Sequence, residues 1–301
     1  MNVLIAGGTG LVGSRLTEML IKKGYTVHIL TRKKLQNSIS IKYFQWVIGK
    51  SIEEGAFENL SGIINLTGEG IADGRWTNSQ KERIMNSRTQ SADFLGTGLK
   101  DAKISVPVYI SASGINYYAN SKTKKYIEVD PAGNGFVQAV CVQWEKHAFD
   151  LQPVANRVVV LRTGLVLASQ KSFLQKFTFS TKFMVGAVFG DGKQFISWIH
   201  IDDLCRYYIK SLEDTDITGA YNAGVCEDEN QNSFLKTFKN VYNTNFIPFK
   251  IPKFVSKLIF GEMAILLNGG VAVSHQKMLE TGFELNYPSL KTALEDLKNK
   301  T

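Results

Sequence analysis

Short apolar runs alternate with amphipathic stretches along the first half of the chain. Residues 2–6 (Asn-Val-Leu-Ile-Ala) are almost continuously apolar, which suits a strand buried on both faces of a parallel sheet. Leu11, Leu16, Met19 and Leu20 then recur at helical spacing, and Gly24 ends the helix. Residues 26–31 predict a second strand, which completes a βαβ unit. The alternation continues with strands at 62–66, 106–111 and 157–162 and helices over 79–102 and 136–150. This order predicts an α/β fold, a Rossmann-like doubly wound parallel sheet.

The rhythm loosens after about residue 164. A helix over 170–183, a glycine-rich stretch from Gly186 to Gly192, a short strand near 197–200 and a helix from Asp202 are expected. Amphipathic stretches at 231–242, 252–267 and 289–299 predict a mainly helical end.

Composition narrows the class. At 301 residues, with 44% hydrophobic and 21% charged positions, the chain buries a large core and is neither disordered nor collagen-like. The 35 basic and 27 acidic residues leave a net charge of +8. Basic residues are spread along the chain, apart from small clusters at Arg32-Lys33-Lys34 and Lys122/Lys124/Lys125, and no aromatic-basic motif accompanies them. No nucleic acid partner is expected. Cys141, Cys205 and Cys226 form no close pair, which argues against a disulfide scaffold or a zinc knuckle and fits a reducing, cytoplasmic setting. No basic leader precedes the strand at Asn2 and no apolar run approaches the ~20 residues of a membrane span, so neither a secretory signal nor a membrane partner is expected.

The main chemical signal is Gly7-Gly8-Thr9-Gly10-Leu11-Val12-Gly13, placed between a buried strand and a helix. In that context Gly7 makes a tight turn, Gly10 lets a pyrophosphate approach the backbone and Gly13 lets the helix pack on the strand. The helix N-terminus then offers free N–H groups to the phosphates. The second strand ends in Thr31-Arg32-Lys33, where an NAD site usually places a carboxylate for the ribose 2′-hydroxyl. A guanidinium instead suits a 2′-phosphate, so NADP(H) is the expected cofactor, with Arg32 as its reader. Residues 1–164 are expected to form this NADP-binding Rossmann domain, with strands near 197–200 and 218–223 returning to it. Residues 165–301 are expected to form a mostly helical region on the substrate side.

The chain resembles the extended short-chain dehydrogenase/reductase superfamily in its opening Gly-Gly-Thr-Gly-Leu-Val-Gly. It resembles an atypical NAD-dependent epimerase/dehydratase-like subgroup, often labelled SulA-type (cell-division inhibitor), in several further segments. These are Asn65 to Ala72, Arg75-Trp76-Thr77, Ser87-Arg88, Ser111-Ala112-Ser113 with Tyr117-Tyr118, Trp144-Glu145, Leu161 to Gly164 and Ser197 to Asp203. The subgroup's C-terminal domain of unknown function is suggested by Gly261-Glu262-Met263 and by Leu279 to Phe283 before Tyr287-Pro288. The resemblance implies that Thr9, Gly10, Leu11, Val12, Arg32, Leu66, Thr67, Gly68 and Ser111 line the cofactor.

Superfamily chemistry rests on a Tyr-x-x-x-Lys pair. If Glu145 aligns with the glutamate that commonly follows the lysine, the pair falls on Val137 and Cys141, which cannot do that work. Tyr118-x-x-x-Lys122 fits the spacing but lies in a polar loop and reads as chance. Substitutes are Ser113, at the serine position that usually bonds substrate, Tyr117 or Tyr118 as proton donor, and Glu69 as a base if its pKa is raised. Glu69 reads equally as an N-cap or as an ion-pair partner of Arg75. Trp76 reads as core or pocket wall. His200, Asp202 and Asp203 match no common metal spacing; His200 is expected to end a strand and Asp202 to cap the next helix. Two functions stay open: an NADP(H)-dependent oxidoreductase or epimerase acting on a small hydroxyl or carbonyl compound such as a nucleotide sugar, or a catalytically silent NADP(H)-binding sensor or regulator.

Overall fold

The computed structural model describes residues 1–170, 174 and 185–300. β1 (Asn2–Ala6) leads through the glycine loop into α1 (Leu11–Lys22) and β2 (Thr26–Thr31). Next come β3 (Ile41–Val47), β4 (Ser51–Ile52), β5 (Leu60–Asn65), α2 (Asn78–Asp101) and β6 (Tyr109–Gly114). A 3₁₀ turn (Ile115–Tyr117) and β7 (Lys125–Tyr126) lead to α3 (Phe136–Phe149) and β8 (Val158–Thr163). β9 (Leu165–Leu167), β10 (Val185–Phe189), β11 (Trp198–His200), α4 (Ile201–Glu213) and β12 (Gly219–Ala223) follow.

The main sheet runs in the order β12-β8-β6-β5-β1-β2-β3-β4. Every pair is parallel except β3 with the short β4. From β1 the chain winds outward through β2 and β3, then crosses back to β5 and winds the other way. The carboxyl ends of β1 and β5 are therefore the topological switch point, where such sheets open a crevice for ligands.

Alternation along β1 sorts its side chains between two cores. Val3 and Ile5 pack with Leu16 and Leu20 of α1 and with Tyr207, Tyr208 and Leu212 of α4. Leu4 and Ala6 pack with Ala92, Leu95 and Leu99 of α2 and with Ala148 of α3. Each fully buried leucine contributes about 2 kcal/mol. Both sheet faces are thus covered, as a parallel sheet requires.

Several boundaries differ from the sequence reading. β3 has no counterpart among the expected strands, because Ile-Lys-Tyr-Phe-Gln-Trp-Val mixes exposed polar positions into the run. The strand expected at 106–111 begins at Tyr109: Val106 makes only an isolated bridge with Ala155, and Pro107 has no N–H to give a ladder. Of the two strands expected to return, only β12 joins the main sheet, beside β8. β11 pairs instead with β9, which continues from β8 beyond Gly164. A Cβ at Gly164 would lie 2.6 Å from the Ser197 carbonyl oxygen, so glycine permits that close crossing. The helix expected over 170–183 lies outside the described residues but for Gln170 and Leu174. The glycine-rich stretch after it contains strand β10.

The C-terminal region holds α5 (Gln231–Tyr242), β13 (Ile247–Ile251), α6 (Lys253–Phe260), α7 (Ala264–Asn268), β14 (Ala272–Val273), α8 (Gln276–Glu280) and α9 (Leu290–Asn299). The single helix expected over 252–267 breaks at Gly261, whose φ of 61° is left-handed, and resumes after a 3₁₀ turn. Phe234, Phe238, Leu290 and Leu294 build a separate core here with Trp198. Among the described residues no helix is long and apolar enough to cross a membrane.

Candidate functional site

The turn after β1 is built to leave a surface bare. Gly7 has φ 84°, and a Cβ there would lie 2.9 Å from the Leu66 carbonyl carbon. A Cβ at Gly13 would lie 2.4 Å from the Gly7 oxygen, so only glycine allows α1 to start this close to the loop. Gly10 donates its N–H to Gly7 O at 3.0 Å and caps α1 in extended conformation. Among the described residues no side chain accepts from the first turn, and that turn carries no acidic residue. The opening N–H groups of α1 therefore face outward beside exposed Thr9 with their partial positive charge uncompensated. A phosphate fits such a cradle.

Thr31 ends β2 and accepts a hydrogen bond from the Lys33 N–H at 3.1 Å, which turns the chain and leaves Arg32 exposed. Arg32 makes no ion pair among the described residues, and stands one strand away from the cradle. On the other side, Asn65 is buried at the end of β5. Its amide donates to Tyr109 Oη at 2.8 Å, and its carbonyl oxygen accepts from the Thr67 N–H at 3.1 Å. This clamp fixes the main chain of Leu66, Thr67 and Gly68 against Gly7. Ser111 lies fully buried on β6, its hydroxyl donating to Ala112 O at 3.0 Å.

The ends of β6 and β8 hold a buried polar network. Ser113 Oγ donates to Glu145 Oε1 at 2.7 Å. Arg162 donates to both oxygens of the same carboxylate and, through Nη1, to Tyr118 Oη at 2.7 Å and to Glu128 O. Tyr118 donates to Asn222 Oδ1 at 2.9 Å. Burial works against the Arg162 charge, but the bonds and attraction of Glu145 outweigh it and hold the guanidinium above its ordinary value. Burial pushes the Tyr118 phenol up to about 12. Tyr117 is half-buried, its ring lying 3.6 Å from the Arg162 guanidinium and edge-on to Tyr118. Its hydroxyl has no hydrogen-bond partner among the described residues.

The structure thus brings Ser113 and Tyr117 to one ion pair. The Ser113 hydroxyl proton is already committed to Glu145, so this serine can only accept from a substrate. Val137 and Cys141 are both buried on α3. Burial and the charge of Glu145 push the Cys141 thiol up to about 12, so it is neutral. Tyr118 and Lys122 do not act together, because Lys122 is paired with Asp191 on the surface.

Glu69 is placed differently from expectation. Its Oε1 accepts from Arg83 Nε at 3.1 Å and from Gln80 Nε2 at 3.0 Å, and Arg83 holds its carboxyl below the usual range. A general base needs the opposite shift. Nor does it pair with Arg75, which donates to the carbonyls of Leu258 and Ile259 and so caps the end of α6. Trp76 donates to Ile71 O and packs edge-on to Phe136, forming a wall between α2, α3 and the C-terminal region.

His200, rather than Asp202, caps α4: its Nδ1 accepts from the Asp202 N–H. Asp202 is free to pair with Arg15 of α1 at 2.7 Å. Arg88, Glu145 and Arg162 stand in the sequence only within segments that carry the family resemblance, with no binding or catalytic role of their own. The available signal for Arg162 was a charged residue inside the apolar strand Val-Val-Val-Leu-Arg-Thr.

The profile of the NAD dependent epimerase/dehydratase family matches residues 3–224. The chain belongs to this family. A domain of unknown function, DUF1731, matches residues 251–297. Among relatives of the family, the epimerase family protein SSP1921 of Staphylococcus saprophyticus is 32% identical, over 98% of each chain. The epimerase family protein YfhF of Bacillus subtilis is 29% identical, over 99% of this chain and 98% of its own. The crystal structure of human epimerase family protein SDR39U1 (isoform 2) with NADPH superposes with a TM-score of 0.88, at 27% identity and covering 100% of both chains. A UDP-glucuronic acid 4-epimerase from Bacillus cereus, 16% identical with a TM-score of 0.81 and full coverage of both chains, shares the fold.

Proposed function

We propose that this protein binds NADP(H) across the carboxyl ends of β2, β1, β5 and β6. On this reading it acts as an oxidoreductase or epimerase on a small hydroxyl or carbonyl compound, of which a nucleotide sugar is one candidate. The observation that carries the proposal is the uncapped first turn of α1 behind Gly7 and Gly10, with Arg32 exposed one strand away. The N–H groups of Leu11, Val12 and Gly13 would hold the pyrophosphate, Arg32 the 2′-phosphate, and Leu66 to Gly68 with Ser111 the wall beneath the nicotinamide half. The NADPH in the human relative supports this choice of cofactor. When bound, the cofactor supplies hydride chemistry. Tyr117 is the group we assign to proton exchange, since its ring is held by Arg162 while its hydroxyl is uncommitted; Ser113 would accept from the substrate hydroxyl. Three free, buried cysteines support a reducing cytoplasm as its location.

Purified protein with NADP(H) should exchange hydride with at least one member of a broad carbonyl and alcohol panel that includes nucleotide sugars. Tyr117→Phe should lower that rate at least a hundredfold without changing NADPH affinity. An unchanged rate contradicts the role of Tyr117.

A second reading, a cofactor-binding sensor or regulator without turnover, is favoured by one observation. If Glu145 aligns with the glutamate that commonly follows the lysine, the catalytic pair falls on Val137 and Cys141, which are both buried, the one with no proton to give and the other a thiol held neutral. A panel wholly without exchange, from protein that binds NADPH tightly, supports that reading. The segments from Asn65 to Ala72 and from Ser197 to Asp203 support placing the chain in the SulA-type subgroup of the family.

A further inference from the structure

One buried charge in the site has no counter-ion among the described residues. Arg88 of α2 is only 8% exposed. Its Nη1 donates to the carbonyl of Ile84 in its own helix at 2.8 Å, and its Nε is buried without an acceptor among the described residues. The guanidinium lies 4.7 Å from the Trp144 ring and packs on Gly68, where a Cβ would come within 3.1 Å of its central carbon. Burial lowers its pKa, and no carboxylate offsets this by direct pairing. Glu69, whose field reaches Arg88, is bonded to Arg83 instead, and Cys141 beside it is neutral. The other buried guanidinium, Arg162, is cancelled by Glu145. The ends of β5 and β6 therefore carry one fixed positive charge with no directly paired carboxylate among the described residues, an arrangement that destabilises a fold unless something uses it.

The sheet order says what lies there. With the adenosine end read by Arg32 at β2 and the phosphates seated at β1, a dinucleotide must lay its other half over β5 and β6, one and two strand spacings of about 4.8 Å further on. That half bears the nicotinamide, whose ring is cationic when oxidised and neutral when reduced. We propose that Arg88 is a redox-state selector, a fixed cation that makes the site hold NADPH more tightly than NADP⁺. This rests on the NADP(H) reading above. Like-charge repulsion across a partly shielded site is large enough to change affinity about tenfold. Such a site stays loaded with reduced cofactor even where the oxidised form is abundant.

The test is calorimetric titration of the full-length protein with NADPH and with NADP⁺, for wild type, Arg88→Lys, Arg88→Met and Arg88→Gln, with melting temperatures in parallel. Wild type should prefer NADPH about tenfold. The lysine variant should keep the preference, and the methionine and glutamine variants should bring the ratio within about twofold, mostly by tightening NADP⁺. Their melting temperatures should not fall, because an unpaired buried cation is being removed. Neutral variants that keep the wild-type ratio overturn the proposal. So does a glutamine variant that unfolds along with the methionine one, since that marks Arg88 as a structural residue. Wild type that binds both forms equally overturns this proposal alone. Wild type that binds neither overturns the dinucleotide reading, and this one with it.

Discussion

Arg162 and Glu145 face each other through two parallel hydrogen bonds, Nε to Oε1 and Nη2 to Oε2, each 2.8 Å long. Both side chains are almost wholly buried, on β8 and α3. The pair joins a strand to a helix and orients Ser113, Tyr117 and Tyr118 around it. Removing one partner leaves the other charge buried and unpaired. Glu145→Ala should therefore lower unfolding free energy by about 3–5 kcal/mol in urea denaturation. A double replacement by methionine should recover most of that loss, because it removes both desolvated charges.

Gly13→Ala tests the cradle sterically. The new Cβ would meet the rigid Gly7 carbonyl 2.4 Å away, so the loop or α1 must shift. The expected result is a stability loss of about 1–3 kcal/mol with NADPH affinity reduced at least tenfold. Thermal melts with and without NADPH separate the two effects.

The Rossmann half was readable because its signals are local. β1, the glycine loop, α1 and β2 each lie within one short window, and Gly13's close approach follows from the motif itself. The polar network was not readable. Arg162 finds Glu145 across 17 residues and Tyr118 across 44, contacts that exist only once β6, β8 and α3 are assembled. The same holds for Arg75, whose partners on α6 lie more than 180 residues away. Glu69 and Arg75 looked like a pair because they are close in sequence, yet Arg83, one helical turn into α2, reaches Glu69. Asp202 reads as the cap from sequence because serine, threonine, aspartate and asparagine dominate that position, whereas the His200 ring takes it in the structure.

Arg75→Ala should loosen the C-terminal region while sparing the main sheet. Its guanidinium closes the carbonyl end of α6 from the loop after β5. Hydrogen exchange should speed up around residues 253–263, while global stability falls by no more than about 1 kcal/mol. Unchanged exchange there contradicts the clamp.

Mild acid should destabilise the protein. Burial lowers the pKa of His28, His200 and His275 below the ordinary 6.5. The unfolded chain therefore binds protons that the folded chain refuses. Stability is fully present above about pH 6.5 and is lost as pH falls below it, with a limiting slope of about 1.4 kcal/mol per pH unit for each histidine. At His200 the cost is specific: its Nδ1 must accept from the Asp202 N–H, which a protonated ring cannot do. Denaturation midpoints between pH 5 and 8 should fall with pH. His200→Asn, which keeps a capping acceptor, should flatten that fall.

The most direct measurement is the affinity of the full-length protein for NADPH and NADH by calorimetry, repeated with Arg32→Asp. The expected outcome is tight NADPH binding at least tenfold stronger than NADH in wild type, reversed in the variant. Equal affinities unchanged by the substitution, or no binding of either dinucleotide, would contradict a phosphate cradle at α1 read from the end of β2.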